Sequence, residues 1–275
     1  MPFLSDSPIE IIHSGFQRGQ IRYALFDFDG TLSLIREGWQ GIMIPMMVET
    51  LLETPQHEPE QALSVMVEEL VGRTTGIQTI YQMDQLCEEI KRRGGIPQSP
   101  QAYKKIYLDR LGIHIRDRLQ GLKSGTIHPE DLMVPGALNL LASLRRRGIV
   151  CYLASGTDDI FVRDEASALG VAGYFSGIYG ARDDLKNQSK KMVIDRLIAE
   201  NRLHGVELVT FGDGFVEIED TKTVGGIAVG VASAEAARQG IDEWKRQRLI
   251  RAGADLIVPD YRSCGQLLSY LFAED

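Results

Sequence analysis

Short apolar runs that stop abruptly at polar, glycine-bearing turns recur along this chain. Tyr23-Ala24-Leu25-Phe26 gives way to Asp27-Phe28-Asp29-Gly30-Thr31, and Ile149-Val150-Cys151-Tyr152-Leu153-Ala154 ends in Ser155-Gly156-Thr157. Glu207-Leu208-Val209-Thr210-Phe211 runs into Gly212-Asp213-Gly214; residues 226–231 and 255–258 repeat the pattern. Runs of this length, bounded by turn residues, predict buried strands. Between them lie helical periodicities. Leu138, Leu141 and Leu144 precede Arg145-Arg146-Arg147-Gly148, a helix with basic residues and glycine at its C-terminus. Residues 159–170 read as a second helix, and 190–200 as a third with Val193, Ile194, Leu197 and Ile198 on one face. Alternating strands and helices predict an α/β fold, a Rossmann-like parallel sheet covered on both faces, with ligands at the carboxyl ends of the strands.

Residues 35–133 break the alternation. Met46, Met47 and Leu51, then Leu63, Met66, Val67 and Leu70, then Ile80, Met83, Leu86, Cys87 and Ile90 follow helical spacing, and no strand pattern intervenes. The expected organisation is an α/β core from residues 1–34 and 134–275 with an inserted all-helical domain over 35–133. The methionine stripe reads as helix packing rather than a ligand site. Ile9, Ile11 and Ile12 offer an additional edge strand near the N-terminus.

Composition narrows the function. The chain has 275 residues, of which 44% are hydrophobic and 25% charged, so it can bury a core without staples. Its net charge of −8 argues against general nucleic-acid binding but leaves room for a local anion pocket. Cys87, Cys151 and Cys264 form no CxxC pair and fit a reducing compartment. Residues 1–10 lack a basic stretch followed by an apolar one, and no apolar run is long enough to span a bilayer. The expectation is a cytoplasmic protein with no membrane or nucleic-acid partner.

The chemistry gathers at the strand ends. Asp27 and Asp29 are two apart after an apolar strand, so both carboxylates can face one region. Taken alone, Asp-Gly is equally good turn chemistry. Ser155 and Gly156 add a hydroxyl and a backbone N–H, and Thr157 or Asp158 can cap the helix that follows. Lys190 opens another helix, and Asp213 lies between glycines four residues before Glu217. Oxygen ligands of this kind suit Mg²⁺; the hydroxyl, amide and ammonium suit a neighbouring phosphoryl group. Such crowded carboxylates should repel one another without metal.

At these residues the sequence resembles the haloacid dehalogenase superfamily. Asp27-Phe28-Asp29-Gly30-Thr31 matches its nucleophile motif, Leu153-Ala154-Ser155 its second, Lys190 its lysine, and Gly212 to Glu217 its acidic motif, with Glu217 where aspartate is more usual. Val134-Pro135-Gly136-Ala137, Gly173-Tyr174-Phe175 and Gly253-Ala254-Asp255 are further echoes. The helical insertion looks like the cap of the phosphoglycolate phosphatase and β-phosphoglucomutase type. The resemblance implies that Asp27 attacks phosphorus and that Asp29 serves as general acid and base. It implies that Asp27, the Asp29 backbone carbonyl, Asp213 and Glu217 surround Mg²⁺, and that Ser155, the Gly156 amide and Lys190 stabilise the phosphoryl oxygens. The implied activity is Mg²⁺-dependent hydrolysis of a small phosphorylated metabolite, a sugar phosphate being one option. A phosphomutase and a non-catalytic phosphoryl-binding regulator are the alternatives.

Lys191 and Lys186 compete with Lys190; spacing favours Lys190, three, four and seven residues before Val193, Ile194 and Leu197. Arg36, Trp39 and Arg73 are the substrate-binding candidates of the insertion. The five histidines show no metal-ligand spacing, and Gly212-Asp213-Gly214 is no dinucleotide fingerprint.

Overall fold

The computed structural model describes residues 2–182 and 190–274. Among the described residues seven strands form one sheet: β1 (Glu10–Ile11), β2 (Tyr23–Phe26), β3 (Val150–Asp158), β4 (Phe175–Ala181), β5 (Leu208–Gly212), β6 (Ile227–Val231) and β7 (Leu256–Val258). Their order is β1-β7-β6-β5-β2-β3-β4, and every neighbouring pair is parallel except β1 with β7. The central strands β5 and β6 are buried at every position. That is why they read as predominantly apolar runs. The N-terminal isoleucines do supply an edge strand, Glu10–Ile11.

The sequence pattern passed over β4, Phe-Ser-Gly-Ile-Tyr-Gly-Ala. It carries two glycines and no apolar run, and it sits at the sheet edge with β3 as its single neighbour. β3 also runs farther than its apolar stretch, through the turn-like Ser155-Gly156-Thr157 to Asp158.

Strand alternation divides the core between two faces. Leu25 packs with Val193, Ile194 and Leu197 of helix α7 (Lys190–Asn201). Its neighbour Phe26 points the other way and stacks on Phe211 at 4.6 Å between ring centroids. Ile218 of α8 (Phe215–Thr223) and Leu249 of α9 (Glu243–Arg251) pack with Ala228 and Ile257. Further helices of this region are α5 (Ala137–Arg146), α6 (Asp159–Ala168) and α10 (Cys264–Phe272).

The chain divides into two compact units, residues 1–37 with 118–275, and residues 38–117. The second unit is helical: α1 (Gln40–Leu52), α2 (Glu60–Arg73), α3 (Thr79–Arg92) and the first part of α4 (Pro100–Ser124). Met43, Met46 and Met47, with Leu63, Val67, Met83 and Leu86, are buried there. The methionine stripe is therefore core. The division falls at 37/38 and 117/118, where 34/35 and 133/134 were expected, because residues 35–37 and 118–133 group with the α/β unit. Arg118 explains part of this: it donates to the carbonyls of Ile35 and Glu37, both at 2.8 Å. Among the described residues no helix is long and apolar enough to cross a membrane.

Candidate active site

Parallel pairing brings the first carboxylate to its partners. β2 lies between β3 and β5, with Phe26 opposite Leu153 on one side and Phe211 on the other. The next residue of each strand path is Asp27, Ala154 and Gly212, so Ser155 and Asp213 follow one residue beyond the level of Asp27 on the two flanking strand paths. Neighbouring strands are about 4.8 Å apart, which places their terminal side chains in mutual reach. The Asp27 amide donates to the Phe211 carbonyl at 2.9 Å and fixes the departure of the chain from β2.

The turn that follows is tight. Gly30 has φ +73°, and a Cβ there would stand 2.3 Å from Asp213 Oδ2. Only glycine lets the nucleophile loop and the acidic loop approach so closely.

Asp27, Asp213 and Glu217 each place a carboxylate oxygen within 4.8 Å of the others. Lys190, the first residue of α7, enters the same cluster. Its Nζ lies 2.8 Å from Asp27 Oδ1 and 2.9 Å from Glu217 Oε2. The Gly214 amide donates to Glu217 Oε1 at 2.8 Å, so the start of α8 holds that side chain inward. Lys191 is exposed and pairs with Asp195 at 3.1 Å. Lys186 lies outside the described residues.

Burial is the dominant influence on this cluster. Desolvation lifts the Asp27 carboxyl well above the ordinary aspartate range; Lys190 opposes the shift, and the charges of Glu217 and Asp213 reinforce it. For Lys190, burial favours loss of the proton, but the charges and hydrogen bonds of Asp27 and Glu217 outweigh it and hold the ammonium above the ordinary lysine value. Lys190 is therefore a permanent cation at working pH.

A second lysine was not anticipated. Lys245 of α9 places Nζ 2.8 Å from Asp213 Oδ2 and 2.5 Å from Glu235 Oε1. Burial raises the Glu235 carboxyl above its usual value against the pull of Lys245. Nothing local in the polar stretch Glu243-Trp244-Lys245-Arg246 marks one lysine for the interior; only the packing of α9 does. The repulsion expected among the carboxylates is thus partly cancelled by two internal ammonium groups.

Asp29 occupies a different microenvironment. The Thr157 hydroxyl donates to its Oδ2 at 2.7 Å, and the Thr157 amide donates to Ser155 Oγ at 3.0 Å. Thr157 does not cap α6. The residue flanking that helix is Asp158, whose side chain makes no capping hydrogen bond. Gly156 is half-buried beside Ser155. Arg36 is buried and gives its Nη2 and Nε to Glu165 at 2.6 and 3.1 Å, with Nε 3.9 Å from Asp29 Oδ1. A residue expected at substrate is thereby engaged with Glu165, which the sequence reading had not singled out. Trp39, half-buried, and Arg73, exposed at the end of α2, belong to the helical unit.

The donor set is what a hard divalent cation requires: three carboxylates converge, and two ammonium groups against the four carboxylates of Asp27, Asp213, Glu217 and Glu235 leave net negative charge. Asp29 Oδ1 is a buried oxygen without a hydrogen-bond partner. The residues present fit a bound Mg²⁺.

Comparison with known proteins agrees with this geometry. Residues 21–219 match the family model "Hydrolase: haloacid dehalogenase-like hydrolase". No curated protein sequence matches the chain. Solved structures do. A predicted phosphoglycolate phosphatase from Haemophilus somnus 129PT superposes with TM-score 0.60 at 15% identity, covering 90% of this chain and 98% of that one. CbbY from Rhodobacter sphaeroides, solved in complex with phosphate, gives TM-score 0.57 at 19% identity over 89% of this chain and 96% of its own. A predicted phosphatase from Clostridium acetobutylicum gives 0.58 at 18% identity over 90% and 98%. At such identities the likeness establishes a shared fold.

Proposed function

The chain belongs to the haloacid dehalogenase-like hydrolases, and from that premise we propose that it is a Mg²⁺-dependent phosphatase. Its substrate class would be small phosphorylated metabolites, sugar phosphates among them. The observation that carries this reading is the buried Asp27, set against the Lys190 ammonium at 2.8 Å and flanked by Asp213 and Glu217. A carboxylate so placed is oriented by its cation, and the same cation can meet the oxygens of an incoming phosphoryl group.

In this proposal an Asp27 oxygen forms a bond to phosphorus while the bond from phosphorus to the ester oxygen breaks. Asp29 gives its proton to that departing oxygen. In the second half, Asp29 takes a proton from water as the water oxygen bonds to phosphorus, and the bond from phosphorus to Asp27 breaks. Free enzyme and inorganic phosphate result, with atoms and charge balanced. Lys190, the Ser155 hydroxyl and the Gly156 amide stabilise charge on the phosphoryl oxygens. Asp27, Asp213, Glu217 and the backbone carbonyl of Asp29 would hold the Mg²⁺, which supplies positive charge against the phosphoryl oxygens when bound.

The test is a screen of phosphorylated metabolites for phosphate release, with Mg²⁺ and with EDTA. Release that requires Mg²⁺ supports the reading. Conversion of a sugar phosphate into its isomer without release would make the protein a mutase. No turnover of any phosphate ester would end the proposal.

A further inference from the structure

Thr157 lies outside the four matched motifs, yet it touches two of their residues. Its amide is donated to Ser155 Oγ and its hydroxyl to Asp29 Oδ2, at 3.0 and 2.7 Å. Its side chain reaches Asp29 because β3 is irregular: the pairing of β3 with β4 shifts register between Ala154 and Asp158. Such a shift re-aims side chains next to the irregularity. Thr157 is itself buried, at 9% exposure, so this hydroxyl does not exchange freely between Asp29 and water.

The two oxygens of Asp29 are consequently unequal. Oδ2 is occupied as an acceptor, whereas Oδ1 is buried and makes no hydrogen bond. Arg36 stands off at 3.9 Å, its Nε and Nη2 being given to the buried Glu165. The Arg36 ring contact with Phe161, at 5.8 Å from the centroid, further fixes the guanidinium. Two independent restraints therefore leave one oxygen of Asp29 unengaged: Thr157 holds its twin, and Glu165 keeps Arg36 from closing on it.

We propose that Thr157 is a positioning residue for Asp29, its hydroxyl holding Oδ2 and so fixing the direction of the carboxyl group that gives and takes the proton in turnover. The inference rests on the phosphatase reading above. It goes further by assigning the orientation of Asp29 to a residue outside the matched motifs. General acid–base catalysis contributes roughly 10²–10⁴-fold, and misplacing the group forfeits part of that. The loss should fall on esters whose leaving group needs a proton and spare those whose leaving group departs as a stable anion.

The experiment measures kcat/KM for wild type, T157V and T157S on substituted phenyl phosphates, from phenyl through p-nitrophenyl to dinitrophenyl phosphate. T157V should lose about tenfold or more on phenyl phosphate and stay within about twofold on the dinitrophenyl ester, a fraction of the full acid–base contribution. T157S, which keeps the hydroxyl, should track wild type across the series. In a D29N background, T157V should add no further loss, since the residue through which it acts is already disabled. Equal losses on all esters, or a full extra loss in D29N, would overturn the inference while leaving the phosphatase reading intact. Wild type inactive on every ester would remove both. Should T157V fail to fold, T157A, which also removes the hydroxyl, must show the same split, and its absence overturns the inference.

Discussion

Asp27→Asn keeps the shape of the side chain and removes its ability to attack phosphorus. Its Lys190 partner retains Glu217 at 2.9 Å, so the cluster need not collapse. Turnover should fall by about a thousandfold or more, the scale at which removing a nucleophile acts; phosphate release compared with the far-ultraviolet circular dichroism of the same sample checks it. Retained activity in a deamidation-free preparation would count against Asp27. A second residue responds to pH. Burial pushes the Cys151 thiol from the ordinary 9.0 up to about 12. The folded value lies above the unfolded one, so this contribution to stability is complete below pH 9 and is lost as pH rises towards 12. Over that window wild type should lose up to about 1.4 kcal/mol per pH unit beyond any loss shown by Cys151→Ala. Denaturant melts of both proteins at several alkaline pH values give the difference in slope. Parallel slopes would show that the thiol is not desolvated as described. Native Cys151 should also resist alkylation near neutral pH, whereas the half-buried Cys264 reacts first.

At the scale of elements, Gly136 tests the junction between α5 and the loop after β7. It flanks α5 with φ +81°, and a Cβ would stand 2.4 Å from the backbone carbon and oxygen of Tyr261. Backbone cannot move aside as a side chain can, and L residues disfavour that conformation. Gly136→Ala should cost at least about 2 kcal/mol; a denaturant midpoint within error of wild type would show that the loop yields. Gly136 was visible in the sequence as an echo of the family, without its reason. Elements buried on both faces were equally visible: β2, β5 and β6 are predominantly apolar because they lie inside the sheet, Thr210 of β5 being paired with the Thr221 hydroxyl. β4 was not, since an edge strand with glycines needs no apolar run. The four matched motifs gave Asp27, Ser155, Lys190, Asp213 and Glu217 because each is the polar residue that ends or follows an apolar strand or opens a helix. Thr157 was expected to cap a helix rather than to hold Asp29, and Glu165, Glu235 and Lys245 were not legible. Each meets its site partner through tertiary packing, and the neighbours of Glu165, Glu235 and Lys245 are those of any solvated turn or helix. Arg36 was noticed, but its bond to Glu165 depends on how α6 lies.

For the whole molecule the question is how so much buried negative charge is tolerated before metal arrives. Charge repulsion alone predicts that removing a carboxylate relieves the metal-free protein. The internal ammonium groups reverse that expectation for Asp213, because its Oδ2 is paired with Lys245 at 2.8 Å and both side chains are only 10% exposed. Asp213→Asn leaves Lys245 with Glu235 as its remaining anionic partner, at 2.5 Å. The metal-free variant should therefore lose about 1–3 kcal/mol, the usual cost of a buried charged hydrogen bond. Metal acts in the opposite direction. A cation that binds the folded cluster and not the unfolded chain stabilises it by RT ln(1 + [Mg²⁺]/Kd), about 2.7 kcal/mol at a hundredfold excess over Kd. At roughly 2–4 °C per kcal/mol this is a rise of several degrees in Tm. In Asp213→Asn that rise should shrink or vanish, since the variant offers a neutral amide where a charged ligand stood. Thermal melts of both proteins across a Mg²⁺ titration at fixed ionic strength separate the two effects: the starting Tm reports the Lys245 pair, and the increment reports the metal. A variant that starts no lower than wild type would mean that Lys245 finds equal compensation elsewhere. A wild type that does not respond to Mg²⁺, or a variant that keeps the full response, would mean that Asp213 does not anchor a metal and that its charge serves Lys245 alone.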